Sequence, residues 1–297
     1  MSLRPLDARQ LEALIGKYRA QLARMNGTSG EQLALIARRV EGRIVRELLR
    51  ADGAADQKQA TRLLQAIRRI VTRSDADLMD VLEEHVPTVW RTRARQTKEI
   101  ADDVFGRRTA ERVIEVSEHF ERGLTDRRLL RISQPYMDRW AGEWSDEWTR
   151  TQRALQAQFT RAAMTGESWA TVAKSVTDDL SRLDIAGRLN AEDFARAFTR
   201  TKLTELYADA GVRIGEEAGL SLYVSVGVPD DRQSEICYRA SRQGPHPLEW
   251  WDKSEFGRPP RHVMNCRCTL LAVPKGVGVT QKNPKFVIER EKEEVAA

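Results

Sequence analysis

Cysteine is almost missing from this chain: there are three, and all lie between Cys237 and Cys268. So few cannot staple a fold, which excludes a disulfide-framed secreted scaffold. Long apolar runs are missing as well, because charge returns every few residues, whereas a membrane span needs about 20 apolar residues in a row. The opening MSLRPLDARQLEALIGKYRA holds no apolar stretch of leader length, so the expectation is a protein that stays where it is made, with no membrane partner. No glycine-rich phosphate loop occurs. Charge is nearly balanced: the formal net value of +5 suits a nucleic-acid neighbour and an ordinary solvated surface equally well.

What remains is a helix-forming composition. Of 297 residues, 41% are hydrophobic and 31% charged, enough apolar content for one to three folded domains and too much for disorder. Up to about Gly219, apolar residues recur at spacings of three and four. Arg9 to Met25 predicts an amphipathic helix through Leu11, Leu14, Ile15, Tyr18 and Leu22. Ser29 is placed to cap a second, carrying Leu33, Ile36, Val40, Ile44 and Leu48 and ended by Gly53.

A third helix, from about Ala55 to Thr72, sets Leu63, Leu64, Ile67, Ile70 and Val71 on one face. Lys58, Arg62, Arg69 and Arg73 recur on another, a strip able to grip phosphates or an acidic protein, or simply a solvated outer face. Asp77 to Arg95 predicts a helix kinked at Pro87, and another passes through Val113 and Phe120. Gly123 to Gln134 reads as a connection bearing Arg127, Arg128 and Arg131, the first two further candidates for partner contact. Pro135 then opens a long helix to about Met164. Trp140, Trp144 and Trp148 share one face of it and read as core or interface.

Gly166 breaks that helix. Ser168 to Leu180 makes a shorter one with Trp169, Val172, Val176 and Leu180 inward, and Asn190 caps a last helix, Ala191 to Glu217. The texture then changes. Ser221 to Val228 alternates like a strand, and Thr269 to Val273 is placed to pair with it across a proline-rich segment. The predicted fold is mainly α: an elongated helical region over 1–165, a small α+β module with a short sheet over 166–274, and an arm over 275–297.

The chemistry-bearing residues cluster late. Arg200-Thr201 precedes Glu205 by a turn, and Gly219 introduces the strand LYVSV. Asp230-Asp231-Arg232 follows, then Ser234, Cys237 and Gly244. Pro259-Pro260-Arg261-His262 leads into Asn265-Cys266-Arg267-Cys268. An Arg232–Asp231 fork can fix a strand-to-loop turn by paired hydrogen bonds. Cys237, His262, Cys266 and Cys268 offer three sulfurs and an imidazole, the donor set of a structural zinc clip, although the closing pair is C-x-C rather than C-x₂-C. The alternative is buried thiols packed as small hydrophobes. A nucleophile–base pair of Cys237 or Cys266 with His262 has no evident orienting acid or oxyanion hole, so no catalytic residue is assigned and no enzyme is expected.

This ordered series, above all Pro-Pro-x-His followed by Asn-Cys-Arg-Cys, resembles the head-morphogenesis (minor head protein) family of tailed bacteriophages, including the phage Mu F-like and SPP1-like proteins. The likeness covers residues 168–274 closely and the preceding helices only in general character. It implies a structural role for Arg200, Thr201, Asp231, Arg232, Gly244, Pro259, Pro260, Asn265 and Arg267. It also implies a low-copy capsid component in the virion, near the portal vertex. Its partners would be the portal protein, a major capsid or scaffold protein, and DNA at packaging or ejection. A DNA-binding protein with a zinc-clipped module is the competing expectation.

Overall fold

The structure is a computed structural model and describes residues 8–51, 53–182, 191–226, 234–259, 268–282 and 285–290. Its elements run α1 (Ala8–Leu49), α2 (Gln57–Val104), α3 (Arg107–Glu118), a π-helical turn (His119–Gly123), α4 (Asp126–Thr165), α5 (Trp169–Arg182), α6 (Ala191–Glu217), β1 (Leu222–Val226), α7 (Glu235–Ala240), α8 (Leu248–Lys253), β2 (Thr269–Val273), β3 (Val277–Lys282) and β4 (Lys285–Arg290). The mainly helical architecture with a short sheet near the end is as predicted. Among the described residues no helix is long and apolar enough to cross a membrane.

Several breaks read from the sequence are not breaks. The first two predicted helices are one helix of 42 residues, and Ser29 is a buried residue inside it rather than a cap. Gly30 beside it faces Arg196 of α6, where an added Cβ would meet the Arg196 Cα at 3.5 Å, an ordinary packing distance. The third and fourth are likewise one helix of 48 residues containing Pro87. The expected connection 123–134 is helical from Asp126, so Pro135 lies inside α4 instead of opening it. Leu129 and Ser133 are buried on that first stretch, and Ser133 accepts a hydrogen bond from Trp90 Nε1 at 2.8 Å, so packing overrides its weak local pattern. Pro135 itself is exposed, so the backbone carbonyl it leaves unbonded can be solvated.

Two helix starts are fixed by caps that the sequence reading did not single out: Asp56 caps α2 through Gln59 N–H to Oδ1 at 2.7 Å, and Ser168 accepts from Thr171 N–H at 3.2 Å at the start of α5. Gly53, Gly166 and Gly219 have φ of +78°, +68° and +81°, where glycine is the residue without a steric cost. Strands β1 and β2 pair antiparallel, Leu222 opposite Val273 and Val226 opposite Thr269. Within the expected arm, strands β3 and β4 pair antiparallel, with Val277 opposite Arg290 and Lys282 opposite Lys285. Their Val, Thr, Phe and Ile content favours strands.

Two compact units are present, each gathered from separated stretches: Met1–Met25, His85–Ser133 and Arg200–Ala297 in one, Asn26–Glu84 and Gln134–Thr199 in the other. In the second unit, Trp144 is buried against Trp148, Phe194 and Phe198 at centroid distances of 5.6–6.2 Å. Trp169 meets Phe159 edge-on and donates through Nε1 to Gln59 at 2.6 Å. The tryptophan face of α4 is therefore core. In the first unit, Trp90 stacks on Phe120 at 5.3 Å.

Candidate functional site

The motif-bearing residues from Arg200 onward lie in the first unit, organised around α6, whereas residues 166–199 belong to the second. Every residue from Leu203 to Val212 is buried, so the polar groups on this stretch need partners inside the protein. Glu205 lies 3.7 Å from Lys202 Nζ. Asp209 lies 3.6 Å from Arg258, whose guanidinium also donates to both oxygens of Asp252 at 3.0 and 2.8 Å. That fork fastens the segment after α8 to α6.

Arg93 of α2 is buried among these groups. Its guanidinium donates to Gln96 Oε1 and to the Leu270 carbonyl, and it lies 4.9 Å over the Tyr207 ring. The Tyr207 hydroxyl donates to the same Gln96 oxygen. Gly211 makes the room: a Cβ there would sit 2.2 Å from Arg93 Nε. One turn on, a Cβ on Gly215 would sit 2.5 Å from the Ala272 Cβ, so this second glycine lets α6 approach β2.

Strand β1 gains a further neighbour from the proline-rich segment. Tyr223 N–H donates to the His246 carbonyl at 2.9 Å, and His246 N–H returns the bond at 3.0 Å. Trp251 is fully buried and donates from Nε1 to the Tyr223 carbonyl at 2.9 Å. Burial holds the His246 imidazole below its ordinary pKa. At the other end, Ser234 caps α7 by accepting from Cys237 N–H at 3.4 Å. Cys237 and Cys268 are buried and pack together with Ile236. Helix α7, after β1, and the residue just before β2 thus meet at two cysteines.

Among the other residues singled out in the sequence, Arg200 is exposed and Thr201 and Gly244 are half-buried, while Pro259 is buried. Asp230, Asp231, Arg232, Pro260, Arg261, His262, Asn265, Cys266 and Arg267 lie outside the described residues, as does Asn190. Two of the four candidate zinc donors, Cys237 and Cys268, are therefore brought together, and His262 and Cys266 are the two not described. Among the described residues no group of three or more histidine, cysteine or acidic side chains converges as a metal site.

The basic strip in the second unit has Lys58, Arg62, Arg69 and Arg73 exposed on α2. No carboxylate among the described residues pairs with any of them. A shallow cavity of about 440 Å³ is lined by Gln65, Arg68, Arg69, Thr72 and Arg73, every one a hydrogen-bond donor and none an acid. Arg127 and Arg128 are exposed at the start of α4, in the first unit. Sequence reasoning missed the Arg93–Gln96–Tyr207 group and the Asp209–Arg258–Asp252 fork. A signal for the first was present: Thr92, Arg93, Gln96 and Thr97 are polar positions interleaved with buried Val89, Trp90, Ala94 and Ile100.

No protein-family model matches the chain, and neither a curated protein nor a solved structure matches it.

Proposed function

We propose that this protein is a structural minor head protein of a tailed bacteriophage, acting in head or procapsid assembly at the portal vertex and in the handling of DNA at packaging or ejection. The ordered motif series from Arg200 to Cys268 carries the reading. It is supported by one feature of the module: Cys237 and Cys268, from separate parts of that series, pack against each other beside the β1–β2 pair. The role is scaffolding, with no catalytic residue assigned. The portal protein is the principal partner, a major capsid or scaffold protein a further one, and the virion head the final location.

Co-purification with the portal protein of the same phage, at low and high salt with nuclease present, tests this. Retention at both salts is expected. Loss of the portal protein under every condition overturns the reading.

A second reading, a DNA-binding protein with a zinc-clipped module, is favoured by the acid-free cavity on α2 and by the packing of Cys237 with Cys268. It requires salt-sensitive DNA affinity and about one zinc per chain by elemental analysis, with the metal lost in Cys268→Ser. Portal retention that disappears on nuclease treatment would move it ahead.

A further inference from the structure

Residues of α7, α8 and the segments that follow them border a shallow, open cavity of about 530 Å³, lined by Arg239, Arg242, Gln243, Trp250, Lys253, Ser254, Glu255 and Phe256. That is within the range of about 300–1,000 Å³ typical of small-molecule sites. Its walls combine cations with aromatic rings.

The aromatic side is built around Trp250. His246 stacks on one face of its indole at 3.7 Å and 16°. Trp251 is perpendicular, 5.0 Å from Trp250 and 6.1 Å from His246. Those three separations put Trp251 beside the edge of the Trp250 ring, not over its second face. Neither His246 nor Trp251 lines the cavity, whereas the half-buried Trp250 does, with Phe256 as the adjoining wall at 6.3 Å. The cavity therefore meets Trp250 on a side those two rings leave uncovered.

The charged side has a surplus of cations. Glu255 is neutralised by Arg239 at 2.6 Å, and Arg239 also lies over the Phe256 ring. Arg242 donates to the Tyr238 hydroxyl at 3.1 Å and lies 5.3 Å over its ring, which orients the guanidinium without cancelling its charge. Lys253 has no acidic partner among the described residues; its neighbour Asp252 is taken by Arg258. Two uncompensated positive groups and a flat ring thus line the same cavity.

We propose that this cavity is a nucleotide-binding site, taking a nucleobase against Trp250 and its phosphate between Arg242 and Lys253. A planar π-system and a phosphate within one ligand match the two walls. An acidic peptide would use the cations and leave the indole without a stacking partner. The ligand is a nucleotide, either free or as one residue of a single strand. The site uses none of the residues of the α2 strip and does not depend on the head-protein reading.

Calorimetric titration of the full chain with AMP, with a short oligo-dA and with inorganic phosphate tests it, beside Arg242→Glu, Lys253→Glu, Trp250→Leu and, as control, Arg107→Glu, an exposed arginine at the start of α3 outside every candidate contact surface. Saturable binding of the oligonucleotide is expected, weakened about tenfold or more by each of the first three variants and unchanged by the control. Binding of AMP as well identifies the free nucleotide as sufficient; oligonucleotide alone identifies the single strand. The two charge reversals fall on exposed side chains, so they report on the site even where Trp250→Leu disturbs folding. The proposal is overturned by absence of binding, by binding indifferent to those variants, by phosphate binding as tightly as the nucleotides, or by an acidic peptide outcompeting them.

Discussion

Glu41 is half-buried on α1, and burial, with repulsion from Glu192, pushes its carboxyl up to about 7 against the opposing pull of Arg38. Arg38 is already committed to Glu192, at 2.6 and 2.7 Å, so little of its charge serves Glu41. A folded-state pKa raised above the ordinary 4.5 means that this group's contribution is complete below 4.5 and is lost as pH rises through about 7. Thermal unfolding at pH 5 and pH 8 should show Glu41→Gln relieving a loss on the order of 1–2 kcal/mol at the higher pH, after discounting for partial exposure. Equal behaviour of variant and parent at both pH values would remove Glu41 as its source. Glycines give a second contrast at this scale. Gly211→Ala drives a Cβ into the Arg93 guanidinium, and should cost about 1–3 kcal/mol despite the better helix propensity of alanine. Gly42→Ala, in the same secondary structure with nothing within 4 Å, should instead stabilise, by up to about 1 kcal/mol. Urea unfolding of the two variants measures both signs, and the same sign for both would contradict the packing at Gly211.

At the level of elements, caps and positive-φ glycines set where helices stop, but interior packing decides where they continue. The turn before α2 joins both: Gly53 adopts φ +78° and Asp56 caps the helix that follows. Asp56→Ala should lower stability by about 0.5–2 kcal/mol, read from the shift of the urea midpoint at unchanged slope. Asp56→Ser, which keeps an acceptor, should recover most of it, and a Ser variant no better than Ala would discard the capping role. The run Gly27-Thr28-Ser29-Gly30 carries similar signals yet lies inside α1. Ser29 is buried there and Gly30 packs on Arg196. A local pattern cannot distinguish a glycine that ends a helix from one that lies within it against a neighbouring element. The hairpin of β3 and β4 escaped for a different reason: its strands are six residues each, and charged ends hide a short β-branched centre.

Over the whole molecule, a net charge of +5 is modest, so what matters is its placement. Lys58 to Arg73 spans about 22 Å of helix, and its exposed cations are not spent on ion pairs within the described chain. Arg62→Glu with Arg69→Glu should reduce portal retention about tenfold at low salt, while surface positions of this kind shift stability by no more than about 0.5 kcal/mol. A double variant that keeps every partner bound as before would sink the strip as a contact. The helical class, the strip, the inward tryptophans of α4 and the β1–β2 pairing were all legible in the sequence, because each depends on periodicity within one element or on two short alternating runs. The meeting of Cys237 with Cys268, the Arg93 group, the Asp209–Arg258–Asp252 fork and the Trp250 cavity were not. Each joins residues from separate elements, and no local spacing specifies which buried polar groups will find one another. Length, composition and periodicity by themselves determined that this is a mainly helical protein with a small β-containing module. Only the tertiary structure decided which stretches form each compact unit and which charges remain uncompensated, because those follow from burial, and burial is a property of the assembled chain.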